Sequence, residues 1–166
     1  MAEKYMSYIA VNLVLTRINQ GKREVLLQLR QNTGYMDNKY DTACSGHVEK
    51  GESFTKALVR ECKEEIGITV NELDLEFLTA NHLYKEDYVQ LFFTTNKYDG
   101  TPTICEPDEC GDLRWFELDN LPENIIPYIK NVLDDIKYDI RFDDGDFIFL
   151  NNNKNNNEGD NKWKQF

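Results

Sequence analysis

The sequence predicts an α/β fold, and three observations carry that reading. Apolar runs rich in β-branched and aromatic residues recur along the chain as strand signals (YIAVNLVLTR, EVLLQL, LEFLTANHL, YVQLFFTT). Two other stretches, near 54–66 and 125–137, space their apolar residues three and four apart, as a helix with one buried face does. The first helical stretch falls between strand runs, which suits helices layered on a sheet. At 166 residues, 40% of them hydrophobic and 12% aromatic, the chain suits one globular domain with a substantial core.

In order, the run from Met6 to Arg17 reads as one strand, its near-continuous apolar character suggesting burial on both faces. Asn19-Gln20-Gly21-Lys22 signals a turn, and Glu24 to Leu29 reads as a second strand completing a hairpin. Arg30 to Lys39 is polar, with Gly34 for a turn, and is expected to be a loop. Tyr40 to Cys44 reads as a short strand. Ser53 is a candidate N-cap, and the first helix is expected from Phe54 to Ile66 with Phe54, Leu58, Cys62 and Ile66 on its apolar face. Gly67 should end it in a left-handed conformation. Leu75 to Leu83 and Tyr88 to Thr95 read as strands joined by Tyr84-Lys85-Glu86-Asp87, with His82 structural in the first. A strand through Arg114–Glu117 and a turn lead to the second helix, about Ile125 to Lys137, with Ile126, Ile129, Val132, Leu133 and Ile136 facing the sheet. Asp139 to Leu150 adds a strand or wraps the domain. NNNKNNN at 151–157 is low-complexity, so residues 1–150 form the domain and 151–166 a disordered tail.

The stretch Gly46 to Ile68, GHVEKGESFTKALVRECKEEIGI, carries the chemistry. On a helix, Glu61, Glu64 and Glu65 fall within a sector of roughly 100°. Carboxylates sharing a face repel one another, and i,i+4 pairing does not reward the arrangement. A hard divalent cation rewards it, because Mg²⁺ takes carboxylate oxygens, water and phosphate together. Taken alone, the glutamates fit equally well on a solvated acidic face.

The flanking residues extend the pattern. Gly46, five residues, Glu52, seven residues, Arg60-Glu61, Cys62, one residue, Glu64-Glu65, one residue, Gly67 and Ile68 match the Nudix box position for position. The chain therefore resembles the Nudix hydrolases, MutT-like enzymes, with Cys62 replacing a bulkier aliphatic and Ser45 replacing a common glycine or alanine. The segment WFELDNLPE extends the likeness to roughly Ser7–Lys137. The resemblance implies an α/β/α sandwich with a central mixed sheet and the box as loop–helix–loop. It implies metal ligation by the Gly46 carbonyl, Glu61, Glu64 and Glu65, with Mg²⁺ or Mn²⁺ as cofactor. It gives Arg60 and Glu52 a bracing role, and it places the general base in the box or on a later loop, where Glu106 and Glu109 in CEPDECGD are the candidates. Glu106, beside Pro107, is preferred, with Glu61, Glu64, Glu106 and Arg60 as the catalytic set. Arg30 and Tyr35 are candidate substrate contacts.

Composition limits the substrate. The net charge of −11, from 30 acidic and 19 basic residues, repels nucleic-acid backbones and anionic membranes, which favours a small nucleotide over a polymer or a membrane surface. The N-terminus has no signal-peptide pattern and no apolar run reaches membrane-spanning length, so a cytoplasmic monomer or homodimer is expected. Cys44, Cys62, Cys105 and Cys110 lack zinc-site spacing and are expected to be reduced. The family implies hydrolysis of a diphosphate linkage in a nucleoside diphosphate-linked substrate, here a (d)NTP giving the monophosphate and pyrophosphate. A dinucleoside polyphosphate or a nucleotide sugar is the alternative, and a non-catalytic nucleotide-binding module the alternative of another class. The marks of coenzyme A hydrolases and NADH pyrophosphatases are not seen, nor is the proline of ADP-ribose hydrolases near Asn81-His82-Leu83. Tyr84 is a weak mark of diadenosine polyphosphate hydrolases. An added DNA-binding domain has no room, and an isopentenyl diphosphate isomerase would need a cysteine on another face than Cys62.

Overall fold

The structure, a computed structural model, describes residues 4–144. Among the described residues, nine strands and two α-helices form an α/β/α sandwich. A mixed sheet has the order β5-β1-β7-β6-β9, built from β1 (Tyr8–Leu13), β5 (Cys44–His47), β6 (Glu76–Leu83), β7 (Tyr88–Thr94) and β9 (Phe142–Asp143). β1 runs parallel to β7 and antiparallel to β5. A second, antiparallel sheet centres on β3 (Lys22–Arg30), which pairs with β8 (Cys110–Glu117) along one edge and with β2 (Thr16–Asn19) and then β4 (Tyr40–Thr42) along the other.

The strand expected from Met6 to Arg17 is two strands in two sheets. Val14 N–H still donates to the Phe93 carbonyl, whereas the Leu15 carbonyl accepts from Leu26. The chain thus crosses from the mixed sheet to the antiparallel one between Val14 and Leu15. This explains the unbroken apolar run: alternate residues face opposite layers, and both layers are dry. Leu13, Leu15 and Leu26 pack with helix α1 (Phe54–Ile66), while Val14, Val25 and Leu27 pack with helix α2 (Pro127–Lys137). The expected hairpin survives as β2–β3. The run Tyr40 to Cys44 divides in the same way at buried Ala43, whose N–H donates to Leu13, so that Gly46 lies on β5 beside Val11.

Helix α1 spans Phe54–Ile66 as the sequence predicts. The Ser53 side chain caps it by accepting from Lys56 N–H, and Gly67 closes it at φ 70° with its N–H on the Cys62 carbonyl. One expectation fails at its first turn: Phe54 is 43% exposed, and Ala57 joins Leu58, Cys62 and Ile66 in the core. Ala57, three residues further along the helix, takes the core position at this end, and Phe54 lies outside the core cluster. Helix α2 (Pro127–Lys137) begins two residues later than expected, because Pro127 takes the first helical position and Ile126 is held by its N–H on the Tyr40 carbonyl. Ile126, Ile129, Val132, Leu133 and Ile136 are all buried as expected. β8 begins at Cys110, earlier than the sequence indicated. The segment after Asp139 adds β9 beside β6; its remainder to Leu150, and the tail from 151, lie outside the described residues.

This packing makes unequal demands along α1. Leu58→Ala should lower the unfolding free energy by about 3 kcal/mol, the usual cost of emptying a closed core site. Phe54→Ala should lower it by about 1 kcal/mol or less. Urea denaturation of both variants reads the difference directly.

Candidate active site

The turn between β5 and α1 brings the box together. Gly46 on β5 lies directly under Glu61 on α1, so closely that a Cβ at Gly46 would fall inside the Glu61 carboxyl group. Glycine is required there for close approach rather than for an unusual backbone angle. Burial pushes the Glu61 carboxyl above its ordinary range, and the charges of Glu64 and Glu106 push the same way, against the lowering effect of Arg60.

Arg60 spans the loop and the helix. Its Nε and Nη2 donate to the two oxygens of Glu52 at 3.1 Å each, a bidentate fork, and Nη2 also donates to the His47 carbonyl at 3.1 Å. Nη1 donates to Glu61 at 2.6 Å and to Glu64 at 3.0 Å. Its hydrogen bonding to Glu52 is the largest influence holding the guanidinium protonated. The bracing implied for Arg60 and Glu52 is thus present as geometry.

Glu65 turns the other way, into the protein. Its carboxylate accepts from Ser45 N–H at 2.9 Å and from Gln28 Nε2 at 3.1 Å. Burial pushes its carboxyl up to about 8, helped by the neighbouring Glu61 charge and only partly offset by these donors. Glu64 is half exposed and projects outward.

Most of these groups line a cavity of about 610 Å³, a size typical of small-molecule sites, whereas Glu52 and Glu64 do not border it. Gly46, Arg60, Glu61, Glu65 and Glu106 all border it, and so do Arg30 and Tyr35. Arg30 is already committed. It donates to the Tyr35 carbonyl, to buried Asp41 and to Thr33 Oγ1, so it braces the 31–39 loop as well as facing the cavity. Tyr84 does not border the cavity: its ring lies at the surface near His82 and Lys85. Glu106 opens the turn before β8, and the 31–32 segment holds that turn through Gln31 Nε2 on Pro107 O and Asn32 Nδ2 on Asp108 O. Sequence reading missed the cavity floor of Asn12, Gln28, Asp41 and Gln90, four buried polar residues on four strands. The available signal was a lone amide inside an apolar run, Asn12 in AVNLV and Gln28 in LLQL.

The donor set fits a hard divalent cation. Three carboxylates and a backbone carbonyl are the oxygen chemistry such an ion takes, and the absence of a side chain at Gly46 lets the Glu61 carboxylate rest directly against that strand. Among the described residues no three acidic, imidazole or thiol groups already converge at ligand spacing, because Glu61 and Glu64 turn to Arg60 and Glu65 turns to Ser45 and Gln28.

A sequence model of the NUDIX domain matches residues 6–136. The chain belongs to the Nudix hydrolases. Among curated Nudix relatives, the NAD-capped RNA hydrolase NudC of Shigella dysenteriae is 29% identical over 125 residues, covering 75% of this chain and 46% of the relative. The NudC of Pseudomonas aeruginosa is 33% identical over 99 residues, covering 60% and 34%. The chain therefore spans less than half the length of these relatives. Among solved structures, a MutT Nudix hydrolase from Burkholderia pseudomallei superposes with a TM-score of 0.67 at 23% identity, covering 78% of this chain and 97% of that one, a likeness of fold. Nudix hydrolases as a family use divalent metals, as the donor set here suits. Among the described residues no helix is long and apolar enough to cross a membrane.

Two outcomes follow from the geometry. Arg60→Lys keeps the charge but loses the fork on Glu52, and should lower stability by about 1–2 kcal/mol in urea denaturation. Glu65, with its folded-state value raised to about 8 from an ordinary 4.5, binds a proton more tightly when folded than when unfolded. Its contribution is therefore full below pH 4.5 and is lost as pH rises through 8. In the presence of EDTA, Glu65→Gln should flatten the fall in melting temperature across that window.

Proposed function

We propose that this Nudix chain hydrolyses a diphosphate linkage in a nucleoside diphosphate-linked substrate, with Mg²⁺ (or Mn²⁺) held by Glu61, Glu64, Glu65 and the Gly46 carbonyl. The observation that carries the reading is the meeting of the box with Glu106 at one end of a cavity of small-molecule size. When bound, the metal supplies neutralisation of phosphate charge and a water of lowered pKa. Arg60, through its fork on Glu52 and its bond to the His47 carbonyl, fixes the turn that presents Gly46. The carboxylate of Glu106, facing the cavity, takes the proton from the attacking water. A new phosphorus–oxygen bond then forms as the bridging one breaks, and the leaving phosphate departs with the bridging oxygen.

A (d)NTP, cleaved to the monophosphate and pyrophosphate, is the substrate favoured by the box alone. A second reading, a diphosphate joining two nucleosides, is favoured by the cavity's charge. Arg30 and Arg60 are its bordering arginines, and both are committed to carboxylates. A two-charge diphosphate diester asks less of such a wall than a triphosphate does. The naming of the NudC relatives for NAD-capped RNA points to the same linkage. It also keeps a nucleotide at the end of an RNA within the substrate class, despite the acidic surface.

The test is a substrate panel with Mg²⁺ in ¹⁸O-water, covering (d)NTPs, dinucleoside polyphosphates, ADP-ribose and nucleotide sugars. Glu106→Gln should lower kcat by roughly 10²–10⁴-fold with KM nearly unchanged, and EDTA should abolish turnover in every case. Full activity in Glu106→Gln would remove it as the base. Absence of turnover throughout the panel, with Mg²⁺ still binding, would leave a nucleotide-binding Nudix module.

A further inference from the structure

One face of the mixed sheet continues from the cavity floor out to its mouth. Tyr8, Ala10 and Asn12 of β1 point to that face by alternation, as do Tyr88 and Gln90 of β7 and Ser45 and His47 of β5. The register sets them side by side: Tyr8 beside Tyr88, Ala10 beside Gln90 and His47, Asn12 beside Ser45. The inner end is buried and polar, with Asn12 2% exposed, whereas Tyr8 at the outer end is 65% exposed. Tyr8 and Tyr88 stand with ring centroids 5.5 Å apart at 31°, and Tyr8 meets the His47 ring edge-on at 6.3 Å. His47 Nε2 and the Tyr88 hydroxyl share a hydrogen bond of 2.7 Å, which fixes the orientation of the Tyr88 ring. Single exposed tyrosines are ordinary. Three rings locked together on one sheet face, leading into a cavity, form a platform for a flat ligand.

We propose that Tyr8 and Tyr88, with His47 as the brace of Tyr88, receive the second nucleobase of a substrate in which a diphosphate joins two nucleosides. Three features select that occupant over others. The platform carries no lysine or arginine, so it is not built for phosphate. It is continuous with the wall where Ser45 N–H holds Glu65, and four residues of β1 from Asn12 to Tyr8 span about 13 Å, a distance a ribose and its base cover from a diphosphate. Its rings offer apolar faces and few directed donors, which suits a base held by stacking, with little discrimination among bases. Tyr8 and Tyr88 are thus specificity-determining residues, distinct from the groups assigned to the chemistry. The inference rests on the second reading of the proposed function, a substrate in which a diphosphate joins two nucleosides.

The experiment uses two probes that share an adenosine diphosphate and differ in the second base: diadenosine diphosphate, which has it, and ADP-ribose, which lacks it. Binding is measured by calorimetry with Mg²⁺ in a Glu106→Gln background, which slows turnover and keeps the metal ligands, and KM for both probes is measured in the otherwise unaltered chain. Diadenosine diphosphate should bind about tenfold tighter than ADP-ribose, as one base stacked on an aromatic surface implies. Tyr8→Ala should reduce that preference to within about twofold while leaving ADP-ribose affinity unchanged, and Tyr8→Phe should retain it. Equal affinity for the two probes, or a preference that survives Tyr8→Ala, overturns the platform and leaves the cavity assignment standing. Failure of the unaltered chain to bind or turn over either probe refutes the reading of a diphosphate joining two nucleosides, and the platform with it, while turnover of a (d)NTP in the substrate panel would keep the diphosphate site.

Discussion

The guanidinium of Arg60 is the interaction on which the rest of the site depends. Its five hydrogen bonds reach Glu52 twice, the His47 carbonyl, Glu61 and Glu64. They therefore join the end of β5, the loop that follows and the exposed flank of α1. Without that tie, two segments carrying several carboxylates would be held together by the apolar contacts beneath them and the Ser45–Glu65 hydrogen bond, while their charges pushed them apart. One cation bonded to three carboxylates offsets part of that repulsion at its source. The fork on Glu52 also fixes direction, which a point charge could not do.

The local parts of this arrangement were legible in the sequence. Ser53 and Gly67 act within a turn of their own positions, so the limits of α1 could be read from residue type alone. The box spacing was legible for the same reason, since a helix converts fixed intervals into a shared face. The crossings between sheets at Val14–Leu15 and at Ala43 were not. An apolar run buried on both faces looks alike whether its strand continues or changes partner, and the partner, Phe93 or Leu26, is remote in the chain. The exposure of Phe54 was hidden likewise, because periodicity reports a residue's direction and not whether anything lies opposite.

The candidate site divides in the same manner. Gly46, Glu61 and Glu65 meet as the box spacing indicated, and Glu106, with only a neighbouring proline to mark it, does border the same cavity. Arg30 also borders it, but its donors are occupied by the loop it braces. Tyr84 sits one residue beyond Leu83, which does border the cavity, but it opens the turn after β6 and lies outside the lining. Gln28 was invisible as a partner for Glu65 because the two belong to different layers and meet only when α1 docks on the sheet.

The turn carrying Glu106 is held at both of its ends. Cys105 N–H donates to the Glu65 carbonyl and Thr103 N–H to the Ile66 carbonyl, which pins the approach to the end of α1. Gln31 and Asn32 grip the turn from the opposite side. A carboxylate outside the box is in this way referenced to the box helix through backbone, not through flexible side chains. Its conformational entropy is lost when the chain folds, before any substrate arrives. Ordering of the 31–39 loop and ordering of the Glu106 turn are then a single event, and a disturbance at Asn32 would be felt at a carboxylate more than seventy positions away in sequence.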